Sequence, residues 1–240
     1  LIVFIYRRYP MFGISFKKDM INFSLFNESM KLGMPRVIQS SIASVGSLLL
    51  QNVMNSFGTD VVTAITTAYK IDTLTILPIM NISVAISIFV GQNVGAGEKE
   101  RAKEGLKKGI IVVLAVSVII TSIVVLAGKV FMKAFGVSDE VADIGQRFFR
   151  ICAIFYPVLG LQNAYSGFLQ GNKDVMFTSA VNVFSLAVRV VLSYLLAGVL
   201  GVDVIAVSEM CSWVLGTVIV FIRYKNGKWK ALNIQACSTT

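Results

Sequence analysis

Two oppositely charged residues, Lys70 and Asp72, stand inside one long apolar run of this 240-residue chain. A charge at membrane depth costs roughly 2.5–3.5 kcal/mol on insertion scales, so such residues face a cavity or a partner. Two positions on a helix lie about 200° apart, so the pair cannot share a face and each needs a partner elsewhere. For Asp72 the chemistry on offer is binding a cation or proton in a cavity; the structural alternative is a pair with another helix. Lys70 suits a counter-ion or structural role better. Arg189, between Val188 and Val190, is a third intramembrane charge. It is always protonated and relays no protons, so it reads as a tether, with Asp72 or Glu209 as partner. Glu209 lies five residues into the last apolar block, near enough to the outer end to snorkel to water. Asp203 suits a loop or helix start, where a carboxylate complements the macrodipole.

Uncharged polar residues extend this set. Gln39 is twelve and sixteen residues from Gln51 and Asn55, which places all three within about a third of a helix circumference. They form a polar stripe suited to lining a cavity. The alternative for them and Asn52 is bonding between helices, with Ser40, Ser41, Ser44 and Ser47 allowing close packing. Gln162, Asn163 and Tyr165 are donors and acceptors at mid-depth of a later block. They suit either a broad-specificity cavity or interhelical bonds.

Other chemistry is excluded or weak. The chain has no histidine, which removes His triads, His metal ligands and His pH switches. Its three cysteines are scattered, two in apolar blocks and one near the end, and imply neither disulfide framework nor zinc site. Asp72 is the one Asp within a span, which leaves no paired acids for an intramembrane hydrolase. The chain is not read as an enzyme, and no cofactor or metal is expected.

The elements that must position these residues are membrane spans. Hydrophobic residues make up 55% of the chain and charged ones 15%, against about 25% charged in a soluble domain. Six blocks reach the roughly 20 apolar residues a crossing needs: 36–57, 61–90, 110–128, 148–170, 176–199 and 204–223. Pro35 suits the first turn of the first block. Pro78, in the middle of the second, predicts a kink near Asn81 and Ser83. Residues 1–6 read as the end of a preceding transmembrane helix. Residues 7–35 read as a cytoplasmic linker holding an amphipathic interfacial helix over 11–33, 36–223 as the six-helix lobe, and 224–240 as a cytoplasmic tail. With both chain ends inside, sixteen of the 22 Lys and Arg fall on the inner side and four outside, Lys70 and Arg189 lying within spans. That asymmetry sets the orientation. It also accounts for the net charge of +9 as topology signal and attraction to anionic lipid, rather than nucleic-acid binding.

Gly91, Gln92, Asn93, Gly95 and Gly97, followed by Arg101, sit at the inner end of the second block. They form no nucleotide fingerprint, having neither GxGxxG nor a Walker lysine. The glycines fit a tight cytoplasmic turn and hinge. This GQNxGAGxxxRAK run resembles the multidrug and toxic compound extrusion (MATE) family. The likeness continues through Leu32–Pro35, Tyr69–Asp72, Pro78, Gln170–Asp174, Arg189 and Gly227–Lys230, covering roughly 30–230. The resemblance implies an all-α membrane protein in which this chain is the C-terminal lobe of a twelve-helix transporter, its N-terminal lobe being the missing partner. It implies antiport of cationic or amphipathic drugs and toxins against Na⁺ or H⁺ across the plasma (inner) membrane. A lipid-linked precursor flippase of similar helical plan is the alternative, and a half-size transporter acting as a homodimer is another. The sequence departs from the sodium-coupled branch, which has acids in the first and fourth spans of this lobe. Here Ala43 stands in the first, and the fourth has no acid. That is more like the branch whose main coupling carboxylate lies in the N-terminal lobe.

Overall fold

A computed structural model describes residues 23–227. The expectations for 1–6, for 7–22 and for the tail beyond Gly227 lie outside the described residues. The described residues belong to two units that meet in sequence between Met34 and Pro35. Seven α-helices follow one another: α1 (Phe23–Asn55), α2 (Thr59–Gly95), α3 (Lys99–Ala134), α4 (Asp139–Cys152), α5 (Tyr156–Gly171), α6 (Val175–Leu200) and α7 (Val204–Lys225). Single 3₁₀ turns, Ala153–Phe155 and Gly201–Asp203, join α4 to α5 and α6 to α7.

These make six crossings. Each of α1, α2 and α3 is long and apolar enough to span a bilayer alone, α4 with α5 forms one continuous stretch, Asp139–Gly171, and α6 with α7 forms another, Val175–Lys225. Val175–Lys225 would reach about 75 Å if straight. It instead doubles back at Gly201, whose φ is +55°, and α6 packs along α7. The connections between consecutive crossings are three or four residues long, which forces antiparallel neighbours.

The structure departs from the apolar blocks at several places. α1 begins at Phe23, so Pro35 is inside the helix rather than in its first turn. Of the interfacial segment 11–33, the part from 23 onward is helical and continuous with the span. Pro78 lies within an α2 that runs unbroken to Gly95. The fourth crossing starts nine residues before the block at 148. α4 is amphipathic: Val141, Ala142, Gly145, Phe148, Phe149 and Cys152 are buried, while Asp143, Arg147 and Arg150 are exposed. An average over its length hides that one-sided face from a hydropathy reading. Ser138 caps it by accepting from Val141 N–H at 3.4 Å.

The bundle is held by close backbone approach as much as by large side chains. α2 packs most extensively on α5. A Cβ built on Gly167 would lie 2.5 Å from the Ser83 carbonyl oxygen, and one on Gly171 would lie 2.7 Å from that of Ser87. This small-xxx-small pair lets two backbones nearly touch, and Ser83 Oγ uses the proximity to donate to the Asn163 carbonyl at 2.5 Å. At Gly105 and Gly109 the neighbours are instead the movable side chains of Phe89 and Ile86. Gly167→Ala in the full-length protein is therefore expected to cost about 1–3 kcal/mol, since a backbone cannot turn aside. Gly198→Ala, with nothing within 4 Å, is expected to be neutral or to stabilise by about 0.5–1 kcal/mol through helix propensity. Thermal unfolding of both detergent-solubilised variants checks this; equal midpoints would show that α2 and α5 do not pack at Gly167.

Candidate functional site

The part of α1 from Pro35 onward stands against the rest of its unit at a few places. Ser41, Ser44 and Ser47 donate to the carbonyls of Val37, Ser40 and Ala43, one turn back on α1 itself. The cross-helix bonds are made by Arg36, which donates to Gln170, and by Asn52, whose Nδ2 donates to Tyr194 Oη at 3.2 Å. Tyr194 in turn donates to the Leu49 carbonyl at 3.2 Å. Between these two attachments a cleft opens among α1, α2, α5, α6 and α7. It consists of two adjoining cavities of about 330 Å³ each, which share Ile76, Leu186, Arg189 and Glu209 as wall.

The cleft is where the chain concentrates its buried polarity. Arg189 of α6 meets Glu209 of α7 in two contacts, Nη1–Oε1 at 2.9 Å and Nη2–Oε2 at 3.0 Å. The same guanidinium donates to Tyr69 Oη at 2.6 Å and lies 5.6 Å from that ring's centre. Glu209 is thus buried and paired, not snorkelling. α7 starts at Val204, and five residues place the carboxylate more than one turn inside, opposite Arg189 on the other arm of the hairpin. Asp72 does not pair with Arg189. Its Oδ1 accepts from the Tyr156 hydroxyl at the start of α5, and it is buried at 6% exposure. Lys70 is exposed on the opposite side of α2, as the 200° separation requires. Two carboxyls and one guanidinium therefore face the cleft, and Arg189 accounts for one carboxyl. Asp72 is left against a neutral hydroxyl.

The uncharged candidates divide. Gln39 lines one cavity with Gln162 and Asn163, and Gln51 lines the other with Asp72. Asn55 serves Gln51, accepting from its Nε2 at 3.1 Å. Tyr165 is not brought to the cleft. It sits in an aromatic cluster with Phe221 and Tyr224, ring centres 5.4 and 5.2 Å away. Residues that sequence reasoning did not single out complete the wall, Tyr69, Asn182, Ser185, Ser212 and Trp213, with Tyr156 fully buried behind Asp72. Tyr69 was legible as the residue three before Asp72, one turn away on the same face; the others gave no local signal. Three buried polar atoms in the wall have no hydrogen-bond partner among the described residues: Gln162 Oε1, Ser185 Oγ and Arg189 Nε. Each such group costs about 1–3 kcal/mol unless something binds it.

The glycine-rich run lies far along α2, away from the cleft lining. Gly91 to Gly95 continue the helix, and a Cβ built on Gly91 would lie 3.6 Å from the Gly171 carbonyl oxygen. The turn itself is confined to Ala96–Glu98, with Gly97 at φ +82°. Asn93 closes it: its carbonyl accepts from Glu98 N–H at 2.8 Å while its side chain donates to the Phe89 carbonyl at 2.7 Å. Gln92 and Arg101 are exposed. At the same end Asp174 takes two bonds from Arg223, at 2.9 and 3.3 Å, and Arg223 lies 4.6 Å from the centre of the Phe177 ring.

Six apolar crossings around a polar interhelical cleft define a polytopic helical membrane protein. The family model for MatE matches residues 35–195, and this chain belongs to that family. It is 25% identical over 206 residues to the probable multidrug resistance protein YpnP of Bacillus subtilis, covering 85% of this chain and 46% of that protein. It is 22% identical over 209 residues to the probable multidrug resistance protein NorM of Thermotoga maritima, covering 85% and 44%. The chain thus spans about half the length of these curated relatives. A crystal structure of MATE in the bent conformation superposes with a TM-score of 0.83 at 16% identity, over 98% of this chain and 53% of that one. The fold is that of one half of such a protein.

Proposed function

We propose that this chain supplies six spans of a secondary transporter that exports cationic or amphipathic small molecules in exchange for Na⁺ or H⁺. The observation that carries the reading is the excess of acid in the cleft. Asp72 is buried beside a single neutral donor, Tyr156, and a carboxyl so placed accommodates a proton, a metal cation or a cationic substrate. Coupling follows if the ion and the substrate stabilise different conformations, because each then weakens the other's binding by the same factor. Alternating access of two six-helix lobes about a midplane site supplies the conformations, with the second lobe as this chain's partner and bilayer lipid around both. The Lys and Arg distribution supports a plasma-membrane orientation with both chain ends cytoplasmic.

The test is ethidium accumulation in efflux-deficient cells that express the full-length parent, under imposed Na⁺ and H⁺ gradients. Accumulation is expected to fall only while one of the two gradients is maintained, which names the coupling ion. Cells that accumulate ethidium as fast as empty-vector controls under both gradients would sink the reading. These 240 residues expressed alone are expected to export nothing.

A further inference from the structure

The three unpartnered atoms of the cleft come from two helices. Gln162 comes from α5, and Ser185 and Arg189 stand one turn apart on α6. Gly216 of α7 leaves them room: a Cβ there would lie 2.4 Å from Gln162 Nε2 and 2.8 Å from Ser185 Oγ. Gln162 and Ser185 are 6% and 7% exposed, and both line the cavity that Arg189 also walls. The orphans are one acceptor, Gln162 Oε1, one hydroxyl, Ser185 Oγ, and one donor, Arg189 Nε. Both remaining nitrogens of Arg189 are already engaged by Glu209 and Tyr69, so its Nε direction is fixed.

Resting on the reading of this chain as part of a cation exporter, we propose that Gln162, Ser185 and Arg189 Nε form a recognition subsite for a carboxamide carried by the substrate. A carboxamide is complementary in both senses. Its N–H donates to Gln162 Oε1, and its carbonyl oxygen, with two lone pairs, accepts from Ser185 Oγ and Arg189 Nε. An ammonium, which Gln162 Oε1 and Ser185 Oγ could both accept from, offers no acceptor to Arg189 Nε. A carboxylate has no donor for Gln162, and it would enter a cleft that already holds Glu209 and Asp72. The subsite thus reads the neutral part of the molecule, while Asp72 answers its charge. A site built to hydrogen-bond a substrate group rejects the analogue that lacks it far better than an apolar pocket does.

The experiment uses the full-length transporter and two matched cations, (4-carbamoylphenyl)trimethylammonium and (4-methylphenyl)trimethylammonium, each read by competition with ethidium export. Wild type is expected to favour the carbamoyl cation by about tenfold in apparent affinity. In Gln162→Leu and, separately, Ser185→Ala, that ratio is expected to fall towards one. Having two variants on different helices guards against loss of one to misfolding. A wild-type ratio near one would mean that water serves these atoms, and would overturn the subsite while leaving export intact. A ratio that stays near ten in both variants would overturn it equally. If neither cation competes and ethidium is not exported, the efflux reading fails and takes the subsite with it.

Discussion

Asp72→Asn in the full-length transporter is expected to lower gradient-driven drug export by at least about a hundredfold, with normal amounts of protein in the membrane. Asparagine keeps the shape of the side chain and keeps an oxygen for the Tyr156 hydroxyl that now bonds Asp72. It removes only the capacity to take up a proton or balance a cation. Folding should therefore survive, and a loss of roughly 3 kcal/mol of coupling is the order expected when a buried charged partner loses its counterpart. The measurement is initial efflux rate against imposed Na⁺ or H⁺ gradient, normalised to membrane level by immunoblot. Unchanged export would make Asp72 a structural residue and move the coupling carboxyl to the other lobe. The contrast with Arg189 favours the functional outcome. A residue kept for structure would be expected to hold a charged partner, as Glu209 does, and Asp72 holds a hydroxyl.

What the sequence discloses here follows the range of the physics behind each signal. Apolar blocks are local, so all six crossings are legible, and their ends miss only where another pattern takes over. α4 is lost to a hydropathy average because five of its fourteen residues are charged. α1 runs back past Pro35, as membrane helices tolerate an interior proline where neighbouring groups satisfy the freed carbonyl. The cost of charge in lipid is local too, which is why Lys70, Asp72 and Arg189 stand out in the bare sequence. Partner choice is not local. Tyr156 is 84 residues from Asp72, and nothing near either residue announces the pairing. Glu209 illustrates the failure most clearly: depth counted from the end of a block suggests an exit to water. The hairpin turn at Gly201 instead brings Arg189 alongside it. Tyr165 fails for the opposite reason. It is three residues from Gln162, close to one turn, yet Phe221 and Tyr224 hold its ring out of the cleft. The orphaned atoms of Gln162 and Ser185 are visible only once three helices meet at Gly216.

Arg189→Met should be the most damaging single substitution in the cleft, costing about 3–5 kcal/mol of stability. The ion pair joins α6 to α7 at 18% and 9% side-chain exposure, and removing one partner leaves the other buried and uncompensated. Tyr69 loses its donor in the same stroke. The neutral replacement of both partners is a different matter: Arg189→Met with Glu209→Gln removes one charge of each sign and leaves neither member of the pair as an uncompensated charge, so it should recover most of the loss. Thermal midpoints of the detergent-solubilised full-length variants, taken through a double-mutant cycle, should give a coupling of about 2 kcal/mol or more. A coupling below about 0.5 kcal/mol would mean that water reaches Glu209 and that the contact contributes little. The same double variant separates scaffold from site. Because it preserves the cleft's net charge and leaves Asp72 in place, it should still export cations of the ethidium kind. Its discrimination between carbamoyl and methyl cations should weaken, since the Nε donor leaves with the guanidinium. Stability, charge recognition and neutral-group recognition would then be assigned to the Arg189–Glu209 pair, to Asp72 and to the Gln162–Ser185 notch by three readouts that do not move together.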